Sequence, residues 1–187
     1  MTRIIAGAAG SLTLTVPEAG TRPTSDRVRE SLFGALESAD LVHGAAVLDL
    51  FAGSGALGLE ALSRGAASAD LVEKAPRAAS VAERNARAVA KALSAPPARV
   101  HRAAADAFLR STTAAFDLVF VDPPYDLCAD DLADTLALLA PRLGTDAIVI
   151  VERATRSGEP GLPPELTVDR SKRYGDTTVW WLRRAQG

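Results

Sequence analysis

One cysteine, Cys128, stands among 187 residues, so no internal disulfide can form. With no CxxC pair and no Cys/His cluster there is no zinc framework either, and no metal site is expected. A reducing cytoplasm is the expected home. The chain also lacks any run of 18 consecutive apolar residues, so no membrane-spanning helix is expected. Glycines and threonines interrupt the short apolar run near Met1 to Gly10 before a signal-peptide core can form. Strong charge of one sign is missing too: the net charge is -2. A nucleic-acid partner would therefore be held by a local basic patch rather than by the global field.

What is present is the composition of a soluble globular protein, with 48% hydrophobic and 24% charged residues. A chain of this length buries roughly 70% of the surface its unfolded form exposes, enough for a core without staples. No internal repeat or low-complexity tail occurs. From about residue 45 to 152, short β-type runs alternate with longer helical patterns, the mark of a parallel sheet covered by helices. Strands are expected near 45–50, 69–73, 98–102, 116–121 and 146–152, and helices near 55–64, 76–93 and 129–140. Leu166 to Arg173 and Thr177 to Arg183, joined by Tyr174-Gly175-Asp176, read as a hairpin. Ahead of this core, Arg3 to Val16 reads as a small β-hairpin. Thr24 or Ser25 then caps a helix whose stripe is Val28, Leu32, Phe33 and Leu36. The expected division is a 1–40 extension of hairpin and helix followed by a 41–187 main domain.

Two motifs carry chemistry. The first strand runs into Asp49-Leu50-Phe51-Ala52-Gly53-Ser54-Gly55-Ala56-Leu57-Gly58 and then a helix, so glycines fall where the backbone turns sharply and approaches a ligand. In a dinucleotide enzyme this loop would receive a pyrophosphate, which Asp49 would repel. An acid there suits a cationic amine or sulfonium, as in S-adenosylmethionine. Glu73 closes the second strand, where a carboxylate can accept from ribose hydroxyls. Asp106, with Ala107 beside it, follows the third strand and is placed to meet an adenine amine. Each acid alone is equally a helix cap or first-turn charge, but Asp49, Glu73, Asp106 and Asp122 end successive strands on the ligand-binding edge of an open α/β sheet.

The second motif is Asp122-Pro123-Pro124-Tyr125, directly after the apolar run Phe116 to Val121. Two prolines force the strand out of its sheet and stiffen the turn. A carboxylate and rigid carbonyls aimed at one point accept hydrogen bonds from an amine, while the phenol offers a flat face to a base. Taken alone, the tetrapeptide is also an ordinary strand-ending turn.

Arg22-Pro23-Thr24-Ser25-Asp26-Arg27-Val28-Arg29-Glu30-Ser31-Leu32-Phe33, the loop and helix of Leu48 to Ala66, the Asp122 to Tyr125 turn and Tyr174-Gly175-Asp176-Thr177 together resemble the RsmD family over nearly the full length. These are S-adenosylmethionine-dependent methyltransferases acting on the exocyclic N2 of a guanine in 16S ribosomal RNA. The resemblance implies a Rossmann-like class I methyltransferase fold: a mostly parallel seven-stranded sheet, helices on both faces and a C-terminal antiparallel hairpin. It implies Asp122, Pro123, Pro124 and Tyr125 as the catalytic turn, and a cofactor set of Asp49, Ala52, Gly53, Ser54, Gly55, Gly58, Glu73, Asp106 and Ala107. It further implies a monomer acting on the small ribosomal subunit. Family members often carry basic residues in the first hairpin, where Ala8-Ala9-Gly10-Ser11 has none. Expected RNA contacts therefore move to Arg22, Arg27, Arg29, Lys172 and Arg173. Rival readings are a methylase of DNA adenine or protein glutamine, a nicotinamide-dependent oxidoreductase, and an RNA-binding module without catalysis. His43, His101 and Cys128 are expected to be structural, and of the adjacent Trp180 and Trp181 one should face the core and one the surface.

Overall fold

Alternation along each strand sends successive side chains to two different apolar layers, and this organises the computed structural model of the chain, which describes residues 1–17 and 24–186. Strands β3 (Ala46–Asp49), β4 (Ser68–Val72), β5 (Arg99–His101), β6 (Phe116–Val121), β7 (Leu143–Ala154), β8 (Leu166–Tyr174) and β9 (Thr177–Arg184) form one seven-stranded sheet. Its order is β5-β4-β3-β6-β7-β9-β8, parallel through β7, with β9 inserted antiparallel between β7 and β8. Val47, Leu118, Phe120, Ile148 and Trp181 face one layer, against α1 (Asp26–Ser38), α2 (Ala56–Ser63) and α3 (Pro76–Leu93). Leu48, Val119, Val121, Val149 and Leu182 face the other, against α4 (Ala105–Ser111) and α5 (Ala129–Leu139).

The expected strands and helices all appear, within a few residues at their ends. Helix α4 is additional. Seven residues are too few to show a helical period, yet alanines favour the helix and Phe108 and Leu109 anchor it in the second layer. Both tryptophans pack: Trp181 lies in the first layer, and Trp180 is half-buried against the second instead of facing solvent. Cys128 caps α5, its Sγ accepting from the Asp131 amide, and His101 bonds Asp70 at 2.7 Å. Among the described residues no helix is long and apolar enough to cross a membrane.

The N-terminal strands are short, β1 (Thr2–Arg3) pairing with β2 (Thr13–Leu14). The expected second strand stops early because Thr15 turns to Asn85 of α3, which exchanges hydrogen bonds with its amide and carbonyl. Ser25 caps α1 through its hydroxyl, and Leu32, Phe33 and Leu36 bury the stripe in the first layer. Each fully buried side chain of this kind stabilises by about 1.5 to 3 kcal/mol.

Arg29 requires a correction. It was expected on an RNA-contacting surface, but its side chain is 1% exposed and its Nη2 donates to Thr2 Oγ1, the Arg3 carbonyl and Asp26 Oδ1. Its Nη1 lies 3.6 Å from Glu60 Oε2, while Glu60 also accepts from the amides of Ile5 and Ala6 and from Arg64 Nε. The pair thus ties the N-terminal hairpin and α1 to α2. Breaking a buried ion pair leaves an uncompensated charge, so Arg29→Met is expected to lower the unfolding free energy by about 3 kcal/mol. Urea denaturation followed by circular dichroism checks this.

Candidate active site

The sheet reverses its order between β3 and β6, where connections diverge to opposite faces and leave a crevice at the carboxyl edge. Asp49, the last residue of β3, is buried beneath that crevice. Its Oδ2 accepts from the Gly58 amide at 3.2 Å, and its Oδ1 has no hydrogen-bond partner among the described residues. Burial pushes its carboxyl up to about 7, the Gly58 hydrogen bond opposing and the Glu73 charge adding to the rise. Glu73 spans the loop, one oxygen accepting from the Gly53 amide at 3.0 Å and the other from Ala75 at 2.8 Å.

Two glycines are required for reasons visible in the backbone. Gly55 opens α2 at φ +82°, a left-handed conformation that costs other residues. A Cβ on Gly58 would sit 2.4 Å from Leu71 Cδ2 and 3.5 Å from Asp49 Cβ, so any larger residue would push the Leu71 side chain aside where the helix lies against β3 and β4. Asn85 braces the loop by donating to the Ser54 carbonyl at 2.9 Å.

Asp49, Ala52, Gly53, Ser54 and Glu73 line this cleft, together with Thr24, Ala103, Ala105 and Asp122. Gly55 and Gly58 shape it from below. Asp106 and Ala107 are placed differently from expectation. Asp106 Oδ1 accepts from Thr135 of α5 at 2.8 Å, Ala107 is exposed, and the cleft wall at this point is Ala103 and Ala105. The cause is α4, which begins at Ala105 and turns Asp106 along its first turn towards α5. An acid with one orphaned oxygen beneath a glycine loop that is open to the cleft at Gly53 fits a cationic ligand in chemistry.

At the end of β6, Asp122 borders both this cleft and a second hollow formed with Pro123, Pro124, Tyr125 and Glu152. The Leu127 amide donates to the Pro124 carbonyl and closes the turn. Tyr125 is 72% exposed, but Asp122 is half-buried rather than fully exposed. Thr24 Oγ1 lies 3.2 Å from Asp122 Oδ2 and 2.8 Å from Glu152 Oε2. Burial, and then the Glu152 charge, raise the Asp122 carboxyl well above its ordinary range; burial likewise raises Glu152. Neither Thr24 nor Glu152 was singled out for the site from sequence. Glu152 follows the same rule as Asp49 and Asp122, an acid near the carboxyl end of a central strand, applied one strand further.

Of the remaining basic residues, Arg22 lies outside the described residues. Arg27 is exposed on α1. Lys172 donates to Ser31 and lies over the Tyr174 ring, and Arg173 donates to the Gly175 carbonyl. Arg173 lines a groove with Tyr125 and Glu152, and Arg156, unremarked in the sequence, lines the same groove.

A solved structure from Escherichia coli, proposed to be a methyltransferase, matches the fold with TM-score 0.83 and 37% identity over 98% of each chain. Sheet order, glycine loop and the acid-proline turn facing it make this chain a class I methyltransferase. A family model described as Conserved hypothetical protein 95 matches residues 2–183, and the chain is 40% identical over 189 residues to the ribosomal RNA small subunit methyltransferase D of Escherichia coli K12. That alignment covers 99% of this chain and 91% of that protein. The chain belongs to this family, the RsmD family. The Haemophilus influenzae protein of the same name is 36% identical, over 87% of this chain and 83% of that one.

Proposed function

We propose that the protein transfers a methyl group from S-adenosylmethionine to the exocyclic N2 of a guanine in 16S ribosomal RNA, acting as a monomer in the cytoplasm on the small ribosomal subunit. The observation that carries this reading is the position of Asp122, which borders the glycine-loop cleft on one side and the Tyr125 hollow on the other. The relatives named as small-subunit RNA methyltransferases support the substrate. Residues 41–187 form the methyltransferase domain and 1–40 an extension that supplies Thr24 to the site.

Asp49, the Ala52 to Gly55 loop and Glu73 hold the cofactor, with Gly58 keeping α2 close and Ala103 and Ala105, in place of Asp106 and Ala107, walling the adenine end. When bound, the cofactor supplies an electrophilic methyl on a sulfonium. Asp122 and the Pro123 carbonyl accept the two amine hydrogens and fix the direction of the nitrogen lone pair, which removes orientational freedom from the reaction. Pro124 keeps that carbonyl rigid. The Tyr125 ring stacks on a guanine turned out of its loop, worth about 1 to 3 kcal/mol. Arg22, Arg27, Lys172 and Arg173 contact RNA phosphates, Arg173 from the wall of the groove.

Labelled S-adenosylmethionine offered with unmodified small subunits, naked 16S RNA, DNA and total protein tests the reading. Label on N2-methylguanine in small-subunit RNA is expected. Label confined to DNA or protein, or tighter binding of NAD than of S-adenosylmethionine, would overturn it. Asp49 argues against the nicotinamide alternative, because a carboxylate beside a doubly charged pyrophosphate is unfavourable.

A further inference from the structure

We propose that Glu152 reads the base: it accepts the guanine N1–H beside the amine held by Asp122, and so makes the site selective for guanine. The proposal rests on the guanine-methylating reading and adds the residue that selects the base.

Strands β6 and β7 are parallel neighbours with Val121 opposite Val151, so Asp122 and Glu152 occupy equivalent next positions at one rim of the sheet. Both line the hollow with Pro123 and Tyr125. Thr24 Oγ1 sits between them, within hydrogen-bond distance of one oxygen from each. A hydroxyl carries one proton and cannot donate to two carboxylates at once. Its proton goes to one of the two at a time, and the shorter contact, 2.8 Å, is to Glu152 Oε2. In either arrangement the Thr24 bridge occupies Asp122 Oδ2 and Glu152 Oε2. The hydrogen bonds these carboxyls make with described residues use only those two oxygens, leaving Asp122 Oδ1 and Glu152 Oε1 unengaged. Both are left as acceptors, since a neutral carboxyl donating through one oxygen still accepts through the other.

The hollow thus offers two acceptors side by side. Guanine presents two adjacent donors on its Watson–Crick edge, the N2 amine and N1–H. Adenine and cytosine also carry an exocyclic amine, but next to it lies a ring nitrogen that accepts, and an acceptor facing Glu152 Oε1 would be repelled and unpaired. A site built to hydrogen-bond a group rejects analogues lacking it far more strongly than an apolar pocket does.

The probe is 2-aminopurine, which keeps the N2 amine of guanine but has a bare acceptor at N1. Small subunits are reconstituted with guanine or 2-aminopurine at the nucleotide the enzyme labels, and kcat/KM is measured for each, together with the change in 2-aminopurine fluorescence on binding. The wild-type protein is expected to favour guanine by at least about 100-fold. In Glu152→Gln, the amide can turn either its carbonyl or its NH2 to the base, so 2-aminopurine transfer should rise and the preference shrink to under about tenfold. A wild-type protein that accepts both purines equally, or a Glu152→Gln variant that keeps the wild-type preference, overturns the proposal. Absence of N2 methylation of guanine by the wild-type protein overturns the functional reading instead, so the two failures are distinguishable.

Discussion

Asp122→Ala is expected to lower methyl transfer by at least about 100-fold while leaving the affinity for S-adenosylmethionine unchanged. The separation follows from where the side chain sits. Its Oδ2 is engaged with Thr24, and its carboxyl faces the junction between the cleft and the Tyr125 hollow. The groups proposed to grip the cofactor, Asp49 Oδ1 and the Glu73-braced loop, lie at the ends of β3 and β4 and have no hydrogen bond to Asp122. Removing the carboxylate takes away the acceptor that fixes the amine without disturbing the loop. Asp122→Asn keeps an acceptor oxygen and should retain more activity than alanine, so the ratio of the two variants separates the acceptor from the charge. Single-turnover kinetics with calorimetric titration of the cofactor give both quantities. Normal turnover in Asp122→Ala would remove this residue from the chemistry.

The sheet and both turns were legible because their signals are local and continuous. Phe116 to Val121 is an uninterrupted apolar strand closed by two prolines, and Asp49 to Gly58 joins strand to helix through glycines that the backbone needs. Three features were not legible, each for a different reason. Helix α4 is too short for a period to emerge. Arg29 sits in a motif of charged residues that reads as a surface; only the fold shows that one turn of α1 points its guanidinium down to Glu60, thirty-one positions along the chain. The bridge from Thr24 to Asp122 and Glu152 joins residues separated by 98 and 128 positions, a juxtaposition that strand order creates and local pattern does not announce. Glu152 itself was within reach, because the rule that found Asp49 and Asp122 also applies to β7.

The affinity for S-adenosylmethionine is expected to increase about tenfold per pH unit up to pH 7 and then to level off. Asp49 is the origin. Its carboxyl titrates at about 7 in the folded chain instead of 3.8, because burial disfavours the charged form, against which the Gly58 amide alone is a partial offset. The folded state therefore binds this proton more tightly than the unfolded chain does. Stability contributed by the protonated acid is fully present below about pH 4 and is lost as pH rises through 7. A cationic ligand beside the orphaned Oδ1 favours the ionised form, so below pH 7 its binding must expel a proton, and above pH 7 that cost disappears. The apo protein should lose stability over the interval in which ligand binding strengthens, so the rise in Tm produced by the cofactor should be larger at pH 7.5 than at pH 5.5. Asp49→Asn removes the titration: its affinity should be low and nearly constant with pH, while the fold gains in the upper part of the range. Calorimetry between pH 5.5 and 7.5 on both proteins measures this, and a wild-type profile as flat as that of Asp49→Asn would show that Asp49 is not the acid that meets the cofactor's positive charge.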